Sequence, residues 1–196
     1  MQFEEGYIYH IYNQGNNRQK IFFNRENYLY FLRKIKKYIT PYGDILAWCL
    51  MPNHFHLMVL VRSNQTHQMN SSHQMNKKRD FTTSIAIMLR SYTRAINKQN
   101  NKSGSLFRQH TKAECVNCPR GIALSFITKA GITQINIVQP EKQYPKICFD
   151  YIHRNPTKAN LVKQDIDWEF SSAQDYYNIR NGKLINKLKA KEYGLI

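Results

Sequence analysis

The 196-residue chain carries 29 Lys and Arg against 13 Asp and Glu, a net charge of +16 at pH 7. Such an excess mildly opposes folding by self-repulsion and attracts polyanions. Nucleic acid is favoured over an anionic membrane surface because 13 Tyr and 10 Phe supply rings that can stack on unpaired bases, although most of them belong to a core. No apolar stretch approaches the roughly 18 residues of a membrane span. The acidic start Met1-Gln-Phe-Glu-Glu5 lacks a signal-peptide plan, and four irregularly placed Cys argue against a disulfide framework and for a reducing, cytoplasmic setting.

Tyr7-Ile-Tyr-His-Ile-Tyr12 is aromatic and β-branched and reads as a first strand, closed by the turn-rich loop Asn13-Gln-Gly-Asn-Asn17. Asn24 suits the N-cap of a helix to about Ile39, with Tyr28, Phe31, Leu32, Ile35 and Ile39 at helical spacing, ended by Pro41 and Gly43. Two strands follow, about Asp44–Met51 and His54–Arg62, joined by a tight Pro-Asn turn. Residues 63–80 are polar, repeat His-Gln-Met-Asn, and read as a surface loop because that composition cannot pack a core.

A second amphipathic helix is expected from Ser84 to about Asn97, and a fourth strand over Leu106–Val116. Residues 119–140 fit either a helix or a hairpin. Pro145 suits the first turn of a helix running to Asn155, which Pro156 would stop. After Asp165 come Trp168, Phe170, a short helix near Ser172–Arg180 and a basic, loosely patterned tail, 182–196.

Met51-Pro-Asn-His-Phe-His-Leu-Met-Val59 carries the most chemistry. Side chains alternate along a strand, so His54 and His56 share a face and Phe55 opposes them. Either both imidazoles reach one metal ion or they are two half-buried strand histidines. Tyr151 and Asn155, four apart in a predicted helix, also share a face. Packing plus a cap explains that pair, and so does a nucleophile one turn from a metal ligand. A phenol is only about 0.1% ionised at neutral pH, so it needs an electrophile already polarised. A divalent ion on a phosphodiester does this, and two imidazoles with one amide oxygen leave room for water and phosphate oxygens around Mg²⁺ or Mn²⁺.

The chain resembles the single-tyrosine HUH transposases, in particular the REP-associated tyrosine transposase branch. The resemblance runs through Gly15-Asn-Asn-Arg-Gln-Lys-Ile-Phe-Phe23, Cys49-Leu-Met-Pro-Asn-His-Phe-His-Leu-Met-Val59, Gly104-Ser-Leu-Phe-Arg-Gln109, Tyr151-Ile-His-Arg-Asn-Pro-Thr-Lys-Ala-Asn-Leu-Val162 and Trp168-Glu-Phe-Ser-Ser-Ala173. It implies an α+β, ferredoxin-like antiparallel sheet with helices on one face, spanning 1–181. It also implies His54, His56 and Asn155 as metal ligands, Tyr151 as nucleophile, and single-stranded or hairpin DNA as partner, with no nucleotide cofactor and either a monomer or a homodimer. The family usually places the tyrosine helix sooner after the fourth strand, and Asn160 stands where the family has glycine, which matters only if φ is positive there.

Arg18, Gln19 and Lys20 in the first loop, Arg108 and Lys112 on the expected fourth strand, and Arg154 beside the tyrosine are candidate DNA contacts; solvated surface is the alternative. Cys115-Val-Asn-Cys118 reads as loop thiols rather than zinc ligands, since only distant Cys148 is left to join them. His153 points elsewhere on the helix from Tyr151. A non-cleaving hairpin-binding protein, such as a repressor, and a zinc hydrolase compete with the nickase reading.

Overall fold

The computed structural model describes residues 2–62, 80–118, 126–129, 132–135 and 140–196. Six strands and five α-helices are defined among them: β1 (Ile8–Gln14), α1 (Arg25–Tyr38), β2 (Gly43–Met51), β3 (His54–Val61), α2 (Phe81–Gln99), β4 (Lys112–Cys115), β5 (Phe126–Lys129), β6 (Ile132–Ile135), α3 (Pro140–Lys158), α4 (Ala173–Tyr176) and α5 (Lys187–Glu192). The main sheet is antiparallel throughout, in the order β2-β3-β1-β4. Strands β5 and β6 pair antiparallel apart from the main sheet, so the described residues between 126 and 135 are extended. The polar loop reading falls on residues outside those described, apart from Asp80.

Alternation divides the sheet into two apolar faces. Tyr9, Ile11, Phe55, Leu57 and Val59 meet α1 and α2, where Phe31 lies 5.1 Å from Phe55. Ile8, Met58 and Leu60 meet Cys148, Phe149 and Ile152 of α3 on the other side. A β-bulge between Ile45 and Ala47 turns both Leu46 and Ala47 to this second face. The expected antiparallel α+β sheet is present, but helices on one face describe only α1 and α2; α3 covers the opposite one. Burying a side chain the size of Phe55 stabilises the fold by roughly 1.5–3 kcal/mol, so neither layer is dispensable.

Caps set the helix ends. The Asn24 side chain accepts from Asn27 N–H at 3.0 Å, as its sequence position predicts. Asp80 caps α2 through Thr83 N–H, which starts that helix before Ser84. Helix α3 begins before Pro145 and does not stop at Pro156. It runs on to Lys158, where Asn160 N–H reaches Thr157 O and Leu161 N–H reaches Pro156 O. Asn160 takes φ +54°, so the position does need a left-handed residue and asparagine fills it.

The fourth strand is shorter than Leu106–Val116. Asn13 Nδ2 donates to Arg108 O and Thr111 Oγ1, replacing ladder bonds between the Gly15–Phe107 bridge and β4. The basic segment 182–196 packs on the fold: Asn186 N–H bonds Ile45 O, and Ala190 and Leu195 are fully buried against the α3 face of the sheet. Cys115 and Cys118 are joined as a disulfide, with Cα atoms 5.7 Å apart, contrary to the expectation of unpaired loop thiols. Neither sulfur is then free to bind zinc. Among the described residues no helix is long and apolar enough to cross a membrane.

Candidate metal and tyrosine site

Strand β3 presents His54 and His56 from one face, with ring centroids 5.0 Å apart, while Phe55 is buried beneath α1. Helix α3 crosses that same face and sets the Tyr151 ring edge-on to His56 at 5.4 Å. Asn155, one turn further along α3, contacts the His54 ring. The four residues singled out from the sequence therefore converge. Tyr151 is 38% exposed in a cleft of about 510 Å³, whereas Asn155 is 9% exposed and His56 only 4%.

Hydrogen bonds determine which atom each side chain presents. His54 Nδ1 donates to Asn53 Oδ1 at 2.6 Å, so Nε2 is the ring nitrogen that meets the Asn155 amide. Asn155 Nδ2 donates to Tyr151 O at 2.8 Å, and the Asn155 amide is also hydrogen-bonded to the His54 ring. His56 Nδ1 lies 2.8 Å from His10 Nε2, and His56 Nε2 is buried without a partner among the described residues. A stranded buried polar atom costs on the order of 1–3 kcal/mol, a cost that a bound cation removes. Among the described residues no three His, Cys, Asp or Glu side chains group as a metal site, so a third ligand drawn from those residues would be of another type. The Asn155 amide is in place for that. Two imidazole nitrogens and one amide oxygen fit a divalent ion that keeps positions open for water and substrate oxygens.

Burial keeps these rings uncharged. It pushes His10 down to about 4, partly offset by Glu114, and holds His56 well below the ordinary imidazole range, with His10 and His54 adding to the effect. His54 is lowered by burial and partly restored by the Asn155 amide. Neutral imidazoles keep the lone pairs a metal needs.

Two tyrosines face His56. Tyr12, 5.8 Å away, donates its hydroxyl to Glu114 Oε1 at 2.5 Å, and burial together with that carboxylate pushes it up to about 12. Tyr151 has no such carboxylate partner among the described residues. Of these two, Tyr151 is the phenol whose oxygen is available. His153 is buried and paired with Ser172 Oγ at 2.7 Å, away from the cleft, as its helix position predicts.

The candidate DNA contacts are dispersed. Arg154 lines the Tyr151 cleft, while Arg18 and Lys20 line a neighbouring cleft with His54. Gln19 uses its amide to tie the first loop to Leu106 O at 3.3 Å. Arg108 lies outside β4 in the segment held by Asn13, and Lys112 opens β4; both are exposed. Sequence reasoning missed His10, Tyr12 and Glu114, which border the cleft, and Lys158, whose ammonium stands over the Tyr151 ring. Lys158 follows Tyr151 by seven residues, two helical turns, and that spacing was there to be read.

The chain matches no protein-family model and no curated protein. Among solved structures it is similar to a REP-associated tyrosine transposase bound to a REP hairpin, with 18% sequence identity and a TM-score of 0.56 over 95% of this chain and 86% of that one. At that identity the likeness establishes a shared fold alone.

Proposed function

We propose that this chain is a metal-dependent DNA nickase and strand transferase acting on single-stranded DNA beside hairpins, through Tyr151. The observation that carries the reading is the convergence of Tyr151, with its hydroxyl uncommitted, on His56, His54 and Asn155. The hairpin held by the solved relative and the +16 charge of this chain support DNA as the substrate.

His54 Nε2, His56 Nε2 and Asn155 Oδ1 would hold Mg²⁺ or Mn²⁺. When bound, the ion supplies Lewis-acid polarisation of the scissile phosphodiester. Tyr151 Oη attacks phosphorus, the P–O3′ bond breaks, the phenolic proton passes to solvent and the departing 3′ oxygen takes up a proton. The products are a 5′-phosphotyrosine on one DNA end and a free 3′ hydroxyl on the other. One ester replaces another, so the linkage is retained and the reaction can run back or onto a second strand. Arg154 and Lys158 flank the cleft with positive charge for the phosphate backbone.

Incubation with a single-stranded hairpin substrate and Mn²⁺ tests this. The expected result is a denaturation-resistant protein–DNA adduct, lost in Tyr151→Phe and in the presence of EDTA. Cleavage by Tyr151→Phe at the wild-type rate would show the assignment to be wrong. Tight hairpin binding with no adduct under any metal would leave a DNA-binding protein instead.

A further inference from the structure

His10 is the least expected member of this cluster. It sits on β1 opposite Met58, so it reaches His56 on the diagonal of the β1–β3 ladder, on the same face of the sheet. Its Nε2 is 2.8 Å from His56 Nδ1, the two rings are inclined by only 24°, and both are buried.

Two neutral imidazoles in that contact share one proton along the N···N line, so only two arrangements exist. If His10 Nε2 carries the proton, His56 Nδ1 accepts it and His56 Nε2 must be an N–H. That N–H is the atom that is buried without a partner, and an N–H cannot bind a cation. If His56 Nδ1 carries the proton, His10 Nε2 accepts, and His56 Nε2 presents a bare lone pair. The stranded atom is then a ligand awaiting a cation. His10 in this arrangement keeps its own proton on Nδ1. Glu114 lies directly opposite His10 across β1 and β4.

Resting on the metal-site reading above, we infer that His10 is a positioning residue: it accepts the Nδ1 proton of His56 and so fixes the tautomer that leaves His56 Nε2 free to bind the divalent ion. His54 has the equivalent support from Asn53 Oδ1, a neighbour in the chain. For His56 the support comes from another strand, so the site depends on the register of β1 against β3. Partners of this kind, behind the ligand itself, typically change metal affinity by about 10- to 100-fold.

The full chain, free of DNA, is the material for the test. Nitrogen-15 spectra of the histidine rings in wild type without metal should show His56 protonated on Nδ1 and bare on Nε2. A His56 ring protonated on Nε2 overturns the proposal, and this measurement needs no variant to fold. Mn²⁺ affinity is then read by electron paramagnetic resonance for wild type, His56→Ala, His10→Phe and His10→Gln, each checked for cooperative unfolding. His10→Phe keeps the ring bulk and removes the acceptor, so Mn²⁺ affinity should fall by about 10- to 100-fold. His10→Gln offers an amide oxygen and should recover most of it. Loss of affinity in His56→Ala with none in His10→Phe overturns the role of His10 alone. Affinity unchanged in both overturns the metal site itself, and the proposal with it.

Discussion

Lys158 holds its ammonium 5.2 Å from the centroid of the Tyr151 ring, two turns further along the same helix. The contact exists only because α3 continues through Pro156 to Lys158. A cation over an exposed ring contributes about 0.5–1 kcal/mol. In the proposed reaction it would also oppose the charge that builds on the attacking and leaving oxygens. Lys158→Met keeps the aliphatic stem and removes the charge. We expect adduct formation to slow by roughly tenfold, about 1.4 kcal/mol in barrier. The salt dependence of single-strand binding should fall by about 0.7 in log–log slope if Lys158 also contacts a phosphate. Rates and binding measured between low and moderate salt check both; an unchanged rate removes Lys158 from the chemistry.

Asn155 offers a neutral oxygen where the other two candidate ligands are nitrogens. Asn155→Asp supplies a charged oxygen of the same reach, better suited to a hard cation. Asn155→Leu supplies none. Mn²⁺ affinity should therefore rise in the first variant and fall by about tenfold or more in the second, with calorimetric titration as the readout. The bond from Asn155 Nδ2 to Tyr151 O is lost in both. A helix-packing role alone predicts that the two variants weaken metal binding alike, so their opposite signs separate ligand from support.

The parts of the site legible in the sequence are those set by one element's own periodicity. His54 and His56 share a face because a strand repeats every two residues, and Tyr151 and Asn155 because a helix brings residues four apart together. Placing one pair over the other required the resemblance, since nothing local says which side of a sheet a helix will cover. His10 does not stand out in the sequence because its partner follows from the β1–β3 register, which joins residues 46 apart. The expected fourth strand failed for a similar reason: Asn13, from another strand, satisfies the backbone at Arg108. Ala190 and Leu195 seal the second face with too few apolar residues to form a pattern. Pro156 was read as a stop, yet a proline in the last turn forfeits only one backbone bond, and the left-handed Asn160 closes the helix beyond it.

The segment that follows α3 is anchored by a buried carboxylate. Asp175, 1% exposed, accepts from Arg180 Nε and Nη2, both at 2.8 Å, and from Gly182 N–H at 2.9 Å. Arg180 also donates to Glu169 O and Ser171 O, and so ties the turn before α4 to the turn after it. Arg180→Leu leaves the carboxylate buried with only a backbone partner. Breaking a buried pair from one side costs about 3–5 kcal/mol; partial exposure of Arg180 places this case near the low end. For a chain of this length that lowers the melting temperature by roughly 6–12 °C. Gly182→Ala should also destabilise, because a Cβ there would meet Asp175 Oδ1 at 2.6 Å. Thermal unfolding of both variants is the check, and a melting temperature within a degree of wild type in Arg180→Leu removes the pair from the fold's support.

Stability at alkaline pH depends on buried phenols and thiols. Tyr92 is fully buried among α1, α2 and the first loop, and its hydroxyl donates to Ile21 O at 2.8 Å. Burial, with Tyr28 and Tyr30 nearby, pushes it far above the ordinary value of 10. Burial also raises Tyr28 to about 12. A group whose proton is held more tightly when folded supports the fold fully below its unfolded value and loses that contribution as pH rises towards its folded one. Above pH 10 the unfolded chain sheds phenolic protons that the folded chain keeps, so stability falls by about 1.4 kcal/mol per pH unit for each such group. Denaturant midpoints should begin to fall near pH 9, where the unfolded chain ionises the thiols of Cys49 and Cys148 that burial also pushes up, and drop more steeply above pH 10. Tyr92→Phe loses the bond to Ile21 O, at about 1 kcal/mol near neutrality. It should be less sensitive above pH 10 by one group's slope. Wild type and Tyr92→Phe falling in parallel from pH 10 to 11.5 would show that the Tyr92 hydroxyl titrates normally in the folded chain.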